Sequence, residues 1–218
     1  MRNIEILYDH YKDSFAQQKE FLKKRDLYTY ILLGLILLFS FQLHEKEISK
    51  SIIVHFLNQY IGDVEIQFTY INTIINVVYL LVMMSYYQVN LNIERLYPYI
   101  HKIEDALSEE DFKIEREGLN YLRSYPWMLW WVHRIYQWGL PMGLMVVALA
   151  QILDFSRLEW GWYNVLNILI FSVAIILSML YLSYIHFHEE YFDKQQYPKL
   201  KFSERMKHYI VGEEKKSQ

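Results

Sequence analysis

The chain contains no cysteine. That excludes a disulfide framework, a thiolate nucleophile and any zinc-cysteine site. Glycine is scarce, seven in 218 residues, and none falls into GxGxxG or a Walker pattern, so the glycine-rich loops that cradle phosphates are missing. HExxH is absent, and no serine stands in a nucleophile elbow. Charge is also absent over long stretches. Tyr28 to Phe41, Phe68 to Tyr87, Ile135 to Leu153 and Tyr163 to Ile185 hold no Asp, Glu, Lys or Arg.

These four runs carry most of the 53% hydrophobic content and are apolar nearly all round. A water-soluble helix shows an apolar stripe on one face only. Crossing a hydrocarbon core takes roughly 20 residues; three runs reach that length, and the first approaches it once Leu27, Gln42 and Leu43 are added. The expected organisation is an all-α, four-span transmembrane bundle with a cytoplasmic helical cap. Its parts are a helix at 1–26, span 1 at 27–43, an outer amphipathic segment at 44–67, span 2 at 68–88 and a helical hairpin at 89–134. Spans 3 and 4 follow at 135–153 and 163–185, and a tail at 186–218. The charged leader before the first run lacks a small-residue cleavage site and reads as a retained anchor.

Orientation follows from the basic residues. All but Lys46, Lys50 and Arg157 of the 22 Lys and Arg residues fall in the first, third and fifth connecting segments, which places both termini in the cytoplasm. Trp127, Trp130, Trp131 and Trp138 at one end of span 3, with Trp160 and Trp162 at the far end of its hairpin with span 4, read as interfacial anchors. Helical spacing puts Ile4, Leu7, Tyr8, Tyr11, Phe15 and Leu22 on one side of a helix that runs into span 1. Ile48, Ile52, Ile53, Phe56, Leu57 and Tyr60 form an apolar face that suits either the headgroup layer or packing against neighbours. Pro98 is expected to interrupt the helix leaving span 2, Ser108 to cap the next one, and Pro126 to end the hairpin.

Few groups carry chemistry. His186 and His188 are two positions apart, about 200° on a helix, so with Glu189 and Glu190 they read as a solvated helix end rather than a metal site. Gly139 and Gly143 flank Pro141, a pattern for close helix packing with a kink or for a gating hinge. The spans hold no acid, base or metal cluster, so the chain reads as a non-enzyme that needs no cofactor.

Span 2 is different. At 100° per residue, Thr69, Asn72, Thr73, Asn76, Leu80, Met83, Tyr87 and Asn90 share one sector of the helix. Polar at both ends and apolar at Leu80 and Met83, the stripe has the pattern of a water-accessible path with a hydrophobic constriction. It also has the pattern of an interface where Asn72 and Asn76 hydrogen-bond to another helix. A pore of any size needs several subunits about an axis, and a homo-tetramer contributing one span 2 helix per subunit is the expectation.

The opening segment, on YDHYKDSF and KKRDLY, together with REGLNYLRSYPW at residues 116 to 127, resembles small multi-span membrane effectors of bacterial anti-phage defence. It is most similar to the Hailong type, a channel paired with a nucleotidyltransferase whose nucleic-acid product controls it. The resemblance implies a cell-killing ion channel of the bacterial inner membrane, gated by a nucleotide or oligonucleotide from a partner enzyme. It also implies a signal site on the cytoplasmic side, for which Lys23, Lys24, Arg25, Arg116, Arg123 and Arg134 supply charge and Tyr121, Tyr125 and Trp127 supply stacking surfaces. The same basic residues serve equally to set topology and to bind anionic lipid. The competing function is a non-conducting membrane scaffold or sensor that recruits a cytoplasmic partner.

Overall fold

A computed structural model describes residues 2–61, 68–108, 127–158 and 161–196. Every element among them is helical: α1 (Arg2–His44), α2 (Lys46–Ile61), α3 (Phe68–Leu107), α4 (Trp127–Arg134), α5 (Leu140–Ser156) and α6 (Trp162–Gln196), with a π-helical turn at Ile135–Gly139 joining α4 to α5. Four helical stretches are long and apolar enough to cross a membrane: Ile4–His44, Phe68–Leu107, Trp131–Ser156 and Trp162–His186. The second arm expected for the interior hairpin, with Arg116, Tyr121, Arg123 and Tyr125, lies outside the described residues, as does the tail beyond residue 196.

One expectation about helix ends needs correction. Pro98 does not interrupt its helix: α3 continues through it to Leu107. Proline removes one backbone hydrogen bond and crowds the preceding turn, but packing on both sides of it outweighs that local penalty. Ile93, Ile100 and Ile103 are all buried there. At the end of α3 the Ser108 hydroxyl donates to the Glu104 carbonyl at 2.8 Å and closes the last turn. In α1 the buried positions are Tyr11, Ser14, Gln18, Thr29, Leu32 and Phe39, with Leu7 packed beside Tyr11, whereas Ile4 and Tyr8 are exposed. The packed face follows the partner helix rather than the most apolar line of the sequence.

The π-turn has an identifiable cause. Pro141 would drive its ring against the carbonyl of residue 137 in a regular helix, and one wider turn relieves the clash. The turn leaves Gln137 buried. Gly143, by contrast, gives no close approach among the described residues, because a methyl group added there would meet none of them within 4 Å.

The chain divides into two compact units. The first comprises residues 1–24, 89–137 and 183–218, and the second 25–88 and 138–182. Around the core of the first, Tyr11, Ile100 and Ile103 pack with Leu7, Leu96 and Leu107. There the Tyr11 hydroxyl donates to Glu104 Oε1 at 3.1 Å, inside the core, and Gln137 Nε2 donates to Glu94 Oε1 at 2.9 Å. The core of the second unit is aromatic. Phe39 meets Tyr79 and Phe171 edge-on with centroids 5.3 and 5.8 Å apart, and Phe155 stacks on Phe171 at 6.2 Å. On α2, Ile48, Ile52 and Phe56 stay exposed while Ser49 is buried. Ile53 of the same face is half-buried, so among the described residues only part of that face packs against the chain. Lys46 pairs with Asp154 and ties the start of α2 to the end of α5.

Candidate functional site

The stripe of span 2 falls on α3, and its partner within the second unit is α6. Asn76 Nδ2 donates to Asn167 Oδ1 at 3.2 Å. Three turns further on, the Tyr87 and Ser178 hydroxyls lie 2.7 Å apart. Both pairs are separated by 91 residues in the chain. Tyr70 with Tyr163 and Tyr79 with Phe171 make ring contacts at nearly the same offset. A constant offset means two parallel helices held in one register, here from Tyr70 to Tyr87, about 25 Å of helix.

Proton bookkeeping orients the lower contact. Ser178 has one hydroxyl hydrogen, which goes to the Ala174 carbonyl at 2.8 Å, one turn back in its own helix. Tyr87 must then donate to Ser178. The Tyr87 ring stacks on Tyr181 with centroids 4.4 Å apart, and Met83 Sδ sits 3.8 Å from the Ser178 hydroxyl. Between the two polar contacts the Tyr79 hydroxyl donates to the Leu144 carbonyl of α5 at 3.0 Å. The α5 face that joins the seam repeats at helical spacing: Leu144, Ala148, Gln151 and Phe155 are all buried. The small Ser178 faces Met83 across the seam.

Each residue expected to line a pore can now be placed. Asn76, Met83, Tyr87 and Asn90 are buried within this one chain, Asn76 and Met83 completely. Thr69, Asn72, Thr73 and Leu80 are half-buried, and the Thr73 hydroxyl bonds back to the Thr69 carbonyl. At Asn76 and Tyr87 the stripe is taken up by contacts with α6 inside the chain. The buried face also includes Tyr79 and Tyr86, which turns its centre by roughly 40° from the sector counted in the sequence. Asn167, Ser178 and Tyr181 were not anticipated. The same angular count on the fourth apolar run would have found them, because Asn167, Phe171, Ala174, Ser178 and Tyr181 share one sector.

The seam is unevenly satisfied. In its lower part Tyr87 and Ser178 are matched. Near the end where α5 passes into α6, the side-chain oxygens of Asn72 and Asn76 and the side-chain nitrogens of Asn167 and Gln151 are buried and make no hydrogen bond.

The basic residues expected to read a signal are less concentrated. Lys23 is exposed. Lys24 pairs with Glu20 at 2.6 Å, and that hydrogen bond and charge hold the Glu20 carboxyl below its ordinary range. Arg25 directs Nε and Nη2 onto Asp26 Oδ1 at 3.2 and 3.0 Å. Arg134 is half-buried at the end of α4. Arg116, Tyr121 and Arg123 lie outside the described residues. Among the described residues no group of three or more His, Asp or Glu side chains could hold a metal ion. Comparison with protein-family models, with curated proteins and with solved structures finds no match.

Proposed function

We propose that this chain is a multi-span membrane sensor that recruits or reads a partner through its charged helical segments and does not conduct in the packed state. The observation that carries the reading is the use of the α3 stripe within one subunit. Asn76 is bonded to Asn167 and Tyr87 to Ser178, so two of the polar groups that a pore would turn to water are taken up by α6. Three helices support a sensing role, since α1, α3 and α6 each join a charged segment to an apolar one without a break. A ligand that binds one arrangement of the charged segments better than another shifts the population of both. The Lys and Arg asymmetry favours cytoplasmic termini, and the family resemblance favours the bacterial inner membrane.

A second reading, the ion-channel effector of anti-phage defence, is favoured by the unmatched amides of the seam. Stripe residues that already lack partners lose little when α3 parts from α6. Thr69, Asn72, Thr73 and Asn76 would then face water above a constriction at Leu80 and Met83. A homo-oligomer about an axis, opened or closed by a nucleotide product of a partner nucleotidyltransferase, would have that form.

Ion flux through liposomes containing the purified chain separates the two. A sensor stays impermeable with and without the partner and its product, and Asn72→Leu with Asn76→Leu then changes only assembly or stability. Flux that appears with the partner and is altered by those two substitutions replaces the sensor with the channel.

A further inference from the structure

Three of the unmatched amides share one stretch of the α3–α6 seam. Asn76 and Asn167 touch, and both are completely buried. Asn72 precedes Asn76 by one turn of α3. Gln151, on the buried face of α5, belongs to the same unit.

Their chemistry selects what they bind. Two acceptors, Asn72 Oδ1 and Asn76 Oδ1, and two donors, Asn167 Nδ2 and Gln151 Nε2, lack hydrogen bonds. Turning both members of the asparagine pair over exchanges their roles and again leaves one donor and one acceptor. A cation would be repelled by the amide hydrogens and an anion by the carbonyls. None of the four amides carries a charge, and the nearby Lys46 and Asp154 neutralise each other. The matching ligand donates and accepts at once, is small, and needs two to four polar partners, as buried water does.

We propose that Asn76 and Asn167, with Asn72 one turn away, form a water-binding site inside the membrane-spanning part of a single subunit. The site is independent of whether the chain conducts, because it is built from the packed seam. The Tyr87–Ser178 contact, three turns away, is made directly and needs no such ligand.

Magic-angle-spinning NMR of the isotope-labelled full chain in lipid nanodiscs tests this through magnetisation transfer from water to side-chain amides. The amides are assigned through bonds, so no variant is required. The expected result is transfer to the Asn76 and Asn167 side-chain NH2 groups on the same order as to exposed Gln17. Resolved Asn76 and Asn167 signals that receive no more than the buried Ala174 backbone, while Gln17 responds, overturn the proposal. Asn76→Leu adds a second reading: transfer to Asn167 falls where water bridges the pair, and unchanged strong transfer to Asn167 overturns the shared site.

Discussion

Asn76 and Asn167 form the hydrogen bond on which the seam's geometry turns, and its worth is modest. Polar contacts between membrane helices average about 0.6 kcal/mol and reach about 1.7, because a loosened helix finds other partners in the bilayer. A double-mutant cycle with Asn76→Leu and Asn167→Leu, read by reversible unfolding in mixed micelles, should give a coupling within that range; zero coupling would mean the pair is not formed in the bilayer. Tyr87→Phe removes the donor to Ser178 while keeping the ring on Tyr181. Its expected loss is similar, about 0.6 kcal/mol. Tyr11→Phe should cost more, about 1–3 kcal/mol, because it withdraws a donor from the buried carboxylate of Glu104. The exposed Glu20–Lys24 pair works in the opposite regime. Its lowered carboxyl pKa gives a contribution that is present above the ordinary carboxylate range and lost as the pH falls through the lowered value, and salt screens it.

At the scale of helices, spacing rules located the elements and left part of their orientation open. Four apolar runs are legible because uncharged length is a property of the chain alone. Which face a helix turns inward is not, since a helix that is apolar all round gives no preferred direction. That is why the α3 seam is rotated toward Tyr79, and why α1 buries Ser14 and Gln18 in place of Ile4 and Tyr8. Local breaker signals were overruled in the same way at Pro98, where packed isoleucines hold the helix on both sides. Gly143 offers a check. As it gives no close packing, Gly143→Ala should leave unfolding free energy unchanged or slightly raised, since alanine is the better helix former. A clear loss would mean that Gly143 is covered by a second copy of the chain.

For the whole molecule the decisive issue is what faces the α3 stripe, and the absence of native cysteine makes it easy to test. Asn76→Cys with Asn167→Cys, which replaces two short side chains already in contact, should form an intrachain disulfide under mild oxidation. Asn76→Cys with Ser178→Cys should not, because about 16 Å of helix separates the two levels and a disulfide spans at most about 7 Å between Cα atoms. The readout is a mobility shift after proteolysis between the helices. Disulfide-linked dimers from Asn76→Cys alone would instead place the stripe at an axis between subunits, as the channel reading requires.

The sequence by itself determined that the chain is helical and has four stretches able to cross a membrane. It did so because uncharged length and composition act locally, before any partner is present. It also placed polar groups in register on span 2. Only the tertiary structure decided what those groups face. One helix records which of its positions are polar, but a hydrogen bond needs a second helix at a particular register, and the parallel offset that brings Asn167 to Asn76 and Ser178 to Tyr87 exists only once α3 and α6 have packed.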